Sequence, residues 1–191
     1  SFQLESAPSF HSYISILLNI SNDHLDRYKS IDHYVSEKKK ILNKNKDTYN
    51  VISIDDLFCS EIYHSTKNLN TIPISYSKQI KEGIYFYNGM IYDNYFFNNK
   101  KILVNKISKD LYGIFNEQNI LAAYAVSQIL KLDSKKFLNT IANYIGLPHR
   151  LEKIIENEKF LIINNSKATN LDSTIKSILN YSNIYLIIGG R

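Results

Sequence analysis

A nearly continuous apolar run over residues 13–20, YISILLNI, constrains the fold more than any other segment of this sequence. Such a run is typical of a strand buried on both faces, as in a parallel sheet covered by helices. Ser21, Asn22 and Asp23 close the run. The polar loop after it should lie at the carboxyl end of a core strand, and ligands of open α/β sheets bind at that edge.

A helix should follow this loop, from the N-cap candidate Ser30 to about Leu42. Its apolar residues recur at helical spacing, at Ile31, Tyr34, Val35, Ile41 and Leu42. Lys38 occupies the position that completes this stripe, whereas Lys39 and Lys40 point elsewhere. The pattern therefore predicts that one lysine of three consecutive lysines turns toward the core.

An inward-facing Lys38 has two explanations. Burying an ammonium group without a partner favours its neutral form. The side chain could avoid this cost by reaching the surface along its own methylene stem. Alternatively, a neutral amine is nucleophilic and could react with carbon dioxide to give a carbamate, an anionic group that binds metals. The spacing alone leaves both explanations open.

The next elements follow an order typical of a doubly wound α/β unit. A strand is predicted over 49–54, a helix over 57–64 and a further strand over 102–106. Between them, Asn88-Gly89 separates two aromatic runs and predicts a hairpin. The aromatic residues here could form a stacking platform for bases, but packing within a small antiparallel sheet is the use we favour.

Two helices are predicted over 116–130 and 133–144, the second capped by Asp133 or Ser134. The glycine at 146 and the proline at 148 end the second helix, and we place a domain boundary there. Beyond the boundary we predict a right-handed βαβ unit, made of a strand over 159–163, a helix over 171–181 and a strand over 183–188.

Composition narrows the class of protein. Hydrophobic residues make up 44% and charged residues 21% of the chain, as in ordinary globular proteins, and no apolar run is long enough to cross a bilayer. A net charge of +5 suits phosphate-bearing partners, but the lysines are scattered and no nucleic-acid-binding signature occurs. The lone cysteine, Cys59, and the lack of a signal peptide fit a reducing cytosol. We expect a cytoplasmic protein without nucleic-acid partners or membrane insertion.

The loop after the first strand carries Asp23, His24 and Asp26. An imidazole and two carboxylates at the end of a core strand could hold a divalent cation. A solvated or hydrogen-bonded loop histidine is the simpler explanation of His24.

Two further sites could contact a nucleotide. Asn116 and Asn119 lie one turn apart at a helix start, so their amides could read a heterocycle while backbone N–H groups face an anion. Capping of the helix by Asn116 is the alternative. Arg150 could clamp a phosphate bidentately, or it could form an ion pair with Glu152 or another acid.

The segment 164–170, NNSKATN, lies between a predicted strand and a predicted helix. Hydroxyl groups, the Lys167 amine and helix N–H groups would converge there on an anion. An ordinary N-cap loop, with Thr169 or Asn170 as the cap, is the alternative.

Taken in order, these segments resemble the Mur ligases. The matching motifs are SFQLE (1–5), LNISNDHLDRY (18–28), YVSEKKKI (34–41), GIFNEQNILAA (113–123), GLPHRLE (146–152), INNSKATN (163–170) and LIIGG (186–190). DHLD occurs across the wider superfamily, whereas GLPHR followed by SKATN is characteristic of the branch that adds D-glutamate. The motifs span the whole chain.

The resemblance implies an ATP-dependent ligase of peptidoglycan precursor synthesis. ATP would phosphorylate the alanyl carboxylate of UDP-N-acetylmuramoyl-L-alanine, and the D-glutamate amine would attack the acyl phosphate to form an amide. Mg²⁺ and cationic side chains would stabilise the charge on the transferred phosphoryl group. The alternatives are a folate-polyglutamylating relative, which shares the mechanism, and a non-catalytic remnant of a broken gene.

The resemblance also assigns roles to residues. His24 matches the family's magnesium ligand near the substrate, and Lys38 matches its carbamylated lysine. Contacts to the nucleotide and its phosphates match Asn116, Asn119, Arg150 and Lys167, and Thr169 matches a contact to D-glutamate. The family usually has histidine where this chain has Phe115, and an acidic nucleotide contact where it has Asn165, so we expect Asn165 to weaken ATP binding.

The implied fold is a three-layer parallel-sheet ATPase domain with a small antiparallel hairpin region. Residues 1–146 would form this central domain, and 147–191 would begin a Rossmann-like C-terminal domain. The family's phosphate loop and its upstream metal-binding glutamate have no counterpart in these residues. We therefore expect an internal fragment of a monomeric enzyme, inactive alone.

Overall fold

The computed structural model describes residues 2–21, 27–66, 69–104, 106–111, 114–179 and 181–189. Its first elements are α1 (Phe2–Glu5), β1 (Ile14–Leu17), α2 (Ile31–Lys39), β2 (Tyr49–Ser53), α3 (Leu57–Ser65) and β3 (Thr71–Ser75). They are followed by β4 (Ile84–Tyr87), β5 (Met90–Asp93), β6 (Lys100–Leu103), a 3₁₀ turn (Lys109–Leu111), α4 (Ile114–Ile129) and α5 (Ser134–Ala142). The last elements are β7 (Glu152–Glu156), β8 (Leu161–Asn164) and α6 (Leu171–Ile178).

Strands β1 to β6 form one sheet whose spatial order follows the chain. Neighbouring strands from β1 to β4 run parallel, and α2 and α3 connect the first three of them. Strands β4, β5 and β6 run antiparallel. The predicted α/β class, with parallel strands and an antiparallel hairpin region, is confirmed.

Each face of this sheet carries its own hydrophobic core. On one face, Val51 and Ile72 pack in a cluster with Leu121 and Tyr124 of α4. On the other face, Ile52 packs in a second cluster with residues of α2 and α3, including the fully buried Cys59. Helices therefore cover both faces of the parallel strands, which explains why their sequences are apolar at consecutive positions.

The hairpin between β4 and β5 forms as its turn sequence predicts. Asn88 and Gly89 have φ values of 49° and 72°, the left-handed backbone that a two-residue hairpin turn requires. Across the strands, the rings of Tyr85 and Tyr92 stack with centroids 4.8 Å apart. Phe86 lies in the core beneath them. These aromatic residues pack against one another and the core, as expected for a small antiparallel sheet.

Strand β3 lies in the middle of the sheet although its sequence, TIPIS, was not recognised as a strand. Pro73 lacks an N–H group, and a proline argues against a central strand. The structure accommodates it because β4 pairs only with Ile74 and Ser75. On the other side of β3, the carbonyl groups of residues 70 and 74 accept hydrogen bonds from the N–H groups of Asn50 in β2 and of Ile54, the residue after β2. The nitrogen of Pro73 therefore faces away from β2.

The predicted βαβ unit near the end of the chain is wrong. Strand β8 pairs antiparallel with β7, a strand that the sequence did not predict. Residues 183–188 form no strand with any described residue, and Tyr185 and Ile187 are 98% and 96% exposed. An apolar run forms a strand only where another strand satisfies its backbone groups. Helix α6 forms as predicted, with Asn170 as its N-cap.

The remaining boundaries shift by a few residues. The strand predicted over 13–20 is shortened to β1, and the strand predicted over 102–106 is β6. Ser30 caps α2 as predicted, and Asp133, one of the two candidate caps, caps α5. The domain boundary proposed at 146 stays a prediction.

Candidate functional site

The carboxyl ends of β1 and β2 meet the first turn of α4, and one buried side chain joins them. Gln118, 7% exposed, donates hydrogen bonds from Nε2 to the Leu18 carbonyl at 3.0 Å and to Ser53 Oγ at 2.8 Å. Its Oε1 accepts a longer contact, 3.5 Å, from Asn19 Nδ2. The sequence offered no signal for this role, because the partners lie 65 and 100 residues away along the chain.

Asp55, directly after β2, organises the same edge. Its carboxylate accepts hydrogen bonds from the hydroxyl groups of Ser53, Ser75 and Ser77 at 2.9, 2.6 and 2.6 Å. It also accepts from the backbone N–H groups of Tyr76 and Ser77 at 3.1 and 3.2 Å. These bonds fix the loop after β3 to the end of β2. An aspartate directly after a buried strand was the available signal, but it was interpreted only as the end of the strand.

Asn116 and Asn119 share one exposed face of α4, as predicted. Asn119 Nδ2 donates to Asn116 Oδ1 at 3.1 Å. The helix begins at Ile114, so Asn116 lies inside its first turn, and its interpretation as the cap is wrong. The first-turn N–H groups have no acceptors within the helix and suit an anion. Contact with a nucleotide stays a prediction.

Glu117 lies between these residues and Gln118. Its side chain is half-buried and forms no hydrogen bond or ion pair with the described residues. Burial raises the pKa of its carboxyl group above the ordinary value.

Lys38 is half-buried while Lys39 and Lys40 are exposed, so the helical count is confirmed. Its Nζ lies 5.0 Å from the centroid of the Tyr34 ring. Among the described residues it forms no hydrogen bond or ion pair. It lines a cavity of about 290 Å³ together with residues at the end of β1, including Leu18 and Asn19. The amine therefore lies beside the edge that Gln118 organises.

Asp23, His24 and Asp26 lie outside the described residues. The described surroundings of Lys38 nevertheless fit a carbamate, because the cavity beside the side chain gives room for the added atoms. The described residues bring together no three His, Cys, Asp or Glu side chains that could hold a metal ion, so a cation here would need the carbamate and His24. Carbamylation of Lys38 and metal binding by His24 stay predictions.

A second set of predicted residues meets where the 146–152 loop contacts the loop after β8. The Lys167 N–H donates to the His149 carbonyl at 3.1 Å. The Leu151 N–H donates to Asn165 Oδ1 at 3.2 Å. His149 and Leu151 have φ values of 67° and 48°, which turn the chain sharply on both sides of Arg150. The structure thus brings together Arg150, Asn165 and Lys167.

His149 holds this junction and was not recognised from the sequence. Its ring Nδ1 lies 2.8 Å from Asn164 Nδ2, and its N–H donates to Glu152 Oε2 at 2.8 Å. The alternative of an ion pair between Arg150 and Glu152 is wrong, and Glu152 contacts His149. Arg150 is exposed and forms no ion pair within the described part of the chain.

Thr169 and Lys167 are exposed in the loop before α6. Asn170, not Thr169, caps α6, because its Oδ1 accepts from the Ser173 N–H at 2.8 Å. The Thr169 hydroxyl forms no hydrogen bond with a described residue and is available for a ligand. No hydrogen bond or ion pair between described residues joins this second set to Asn116, Asn119 or Lys38. The helices that the structure describes include none long and apolar enough to cross a membrane.

Comparison with known proteins agrees with the motifs. Residues 3–127 match the family model described as the Mur ligase middle domain. The chain is 37% identical over 194 residues to the UDP-N-acetylmuramoylalanine–D-glutamate ligase of Rickettsia bellii, covering 100% of this chain and 43% of that protein. It is 40% identical over 191 residues to the ligase of the same name from Fusobacterium nucleatum, covering 100% of this chain and 42% of that protein. The chain thus spans less than half the length of these relatives.

Solved structures share the fold. A crystal structure of MurF from Acinetobacter baumannii matches with a TM-score of 0.63 at 16% identity, over 91% of this chain and 38% of that one. MurF from Thermotoga maritima in complex with ADP matches with a TM-score of 0.62 at 15% identity, over 91% of this chain and 40% of that one.

Proposed function

Because the chain belongs to the Mur ligase family, through that family's middle domain, we propose that it is part of an ATP-dependent ligase. The reaction joins D-glutamate to UDP-N-acetylmuramoyl-L-alanine in peptidoglycan precursor synthesis. The observation that carries this proposal is the 37–40% identity, along the whole chain, to ligases named for that reaction. The GLPHR and SKATN motifs support the same branch.

The chemistry has two steps. An oxygen of the alanyl carboxylate attacks the γ-phosphorus of ATP, the bond to the β-phosphate oxygen breaks, and ADP leaves. The D-glutamate amine then attacks the acyl carbon, loses a proton, and displaces inorganic phosphate as the amide forms. Both steps develop negative charge on phosphoryl oxygens, so catalysis depends on positioning and on positive charge near those oxygens.

The first set of residues would hold the nucleotide and the metal. Asn116 and Asn119 present two amides on one face of α4, near its N-terminal end. His24 and a carbamate on Lys38 would hold Mg²⁺. The ion would supply positive charge to the phosphates when bound.

The second set would act from the other loops. Arg150 extends from a turn fixed by its neighbours, and its planar fork can contact two phosphate oxygens. Lys167 adds a second positive charge on the adjoining loop. The exposed Thr169 hydroxyl would contact the D-glutamate carboxylate. Asn165 holds the turn through Leu151 and would contact the nucleotide only as a neutral amide.

The further organisation belongs to the same proposal. Residues 1–146 act as the central ATP-binding domain, and 147–191 begin a Rossmann-like C-terminal domain. The working protein is a cytoplasmic monomer, and the chain alone is inactive.

The test is phosphate release by the complete protein that carries this chain. Release should require ATP, UDP-N-acetylmuramoyl-L-alanine and D-glutamate together, and omission of any one should abolish it. Release with L-glutamate and a folate, but not with the UDP-sugar, would assign the folate-polyglutamylating function instead. Absence of release with every substrate combination would favour a non-catalytic remnant.

A further inference from the structure

Gln118 is placed to connect the two parts of the first site. It lies between Asn116 and Asn119 in sequence, and it bonds to the ends of both neighbouring strands. Asn19, two residues beyond β1, contacts Gln118 Oε1 at 3.5 Å and lines the same cavity as Lys38. We propose that Gln118 is a positioning residue, which fixes the nucleotide-contacting turn of α4 relative to the metal-carrying edge; this proposal rests on the proposed function.

The direction of every hydrogen bond in this network is determined. The Asp55 carboxylate accepts, so the Ser53 hydroxyl must donate its proton to Asp55. The Ser53 oxygen is then left as an acceptor for Gln118 Nε2. The Leu18 carbonyl is also an acceptor. Only a side chain with two N–H donors at this point satisfies both partners.

This requirement makes the position sensitive to chemistry as well as to size. Gln118→Glu keeps the shape of the side chain, but its carboxylate presents two acceptor oxygens to the Leu18 carbonyl and Ser53 Oγ, which are themselves acceptors. Gln118→Met keeps the length and removes both donors. Both changes leave buried polar groups without partners, and the turn should shift away from the strand ends.

A displacement of the first turn of α4 should affect ATP more than the amino acid. Asn116 and Asn119 would move with the turn, whereas Thr169 lies on the second loop set. We expect a KM for ATP that rises several-fold, a KM for D-glutamate that is unchanged, and a kcat lower by about 10- to 100-fold, because small misplacements of reacting groups are costly.

The experiment measures steady-state kinetics of the complete protein with Gln118→Glu, Gln118→Met and Ser53→Ala, on monodisperse folded samples. Ser53→Ala removes the acceptor of one Gln118 bond and one donor to Asp55, whose carboxylate keeps four other donors. Gln118 keeps its bond to the Leu18 carbonyl, so Ser53→Ala should change the same constants by less. Gln128→Glu and Gln128→Met are matched controls, because Gln128 lies on the same helix far from this edge. Its Nε2 donates a hydrogen bond to Ser127 Oγ at 3.2 Å. Both controls should retain parental constants.

The pH profile separates positioning from folding. Lowering the pH protonates the new carboxyl of Gln118→Glu and restores one donor, so its KM for ATP should recover toward the parent, while that of Gln118→Met should not. The proposal would be overturned if both variants had the parental KM for ATP. It would also be overturned if kcat fell while the KM for ATP stayed unchanged and lowering the pH restored neither constant in Gln118→Glu. If the parent itself releases no phosphate with the two substrates, the proposed function fails first, and this inference fails with it.

Discussion

Tyr124→Phe should destabilise the fold by removing one buried hydrogen bond. Asp93 is fully buried, and its Oδ2 accepts from the Tyr124 hydroxyl at 2.8 Å. Its Oδ1 accepts from the N–H groups of Tyr95 and Phe96 at 3.0 and 2.9 Å. The contact fixes the end of the β5 hairpin to α4. Phenylalanine keeps the ring and its edge contact to Phe137, so only the hydroxyl is lost.

The expected cost is that of a buried carboxylate oxygen left without its donor, about 1.5–3 kcal/mol in the free energy of unfolding. For a chain of this size, each kcal/mol lowers the melting temperature by about 2–4 °C, so the expected decrease is roughly 3–12 °C. Burial and the hydrogen bond to Asp93 raise the pKa of the Tyr124 phenol above its ordinary value of 10.0. As the pH rises, the unfolded state therefore loses this proton before the folded state does. The difference in unfolding free energy between the parent and Tyr124→Phe should be fully present below about pH 10 and should decrease above it.

Urea unfolding at pH 7 and at several pH values up to 11 measures both effects. The control is Tyr87→Phe, because Tyr87 is 45% exposed and its loss of a hydroxyl should change stability by less than about 0.5 kcal/mol. Equal unfolding free energies for the parent and Tyr124→Phe at pH 7 would refute the reasoning. A difference that grows above pH 10 would contradict the stated cause.

Three other substitutions test separate contacts. Asp133→Ala should lower the urea midpoint of unfolding, because Asp133 Oδ1 accepts from the N–H groups of Lys135 and Lys136 at 2.7 and 2.9 Å. These bonds lower the pKa of the Asp133 carboxyl group. The contribution of Asp133 to stability is therefore present above about pH 4 and is lost as the pH falls through the lowered pKa. If the urea midpoints of the parent and Asp133→Ala differ by the same amount at every pH, this cause is contradicted. Lys38→Arg in the complete protein should lower kcat by about 10- to 100-fold, because arginine keeps the charge but cannot become a carbamate. Lys39→Arg, at an exposed position, is the control. Equal kcat values for the parent and Lys38→Arg would exclude the carbamate. Asn165→Asp should tighten ATP binding in a nucleotide titration, since a carboxylate can still accept from the Leu151 N–H, and unchanged affinity would refute the role of Asn165.

The parts of the fold that follow local periodicity could be predicted from the sequence. Helical counting selected Lys38 from three consecutive lysines, and the structure places it half-buried while the other two are exposed. The turn residues Asn88 and Gly89 predicted the hairpin because few residues adopt the left-handed backbone there. The caps Ser30 and Asp133 were recognised because capping is a local interaction.

The errors occurred where distant residues decide the outcome. Strand β3 was not predicted, and its central proline is accommodated because β4 pairs only with Ile74 and Ser75. Residues 183–188 have strand-like composition, but no described residue supplies the partner strand. The Gln118 network joins residues 65 and 100 positions apart, and His149 acts through Asn164 and Glu152 across a loop junction. No spacing rule in a single sequence identifies such contacts.

Isotope transfer tests the central claim most directly. The complete protein would be given ATP, D-glutamate and UDP-N-acetylmuramoyl-L-alanine whose alanyl carboxylate carries ¹⁸O in both oxygens, and the released phosphate and product would be analysed by mass spectrometry. The proposed acyl phosphate predicts one ¹⁸O in each phosphate and one in the new amide of a D-glutamate adduct. Turnover that releases unlabelled phosphate, or label transfer that occurs with another amino acid and not with D-glutamate, would contradict the proposed function.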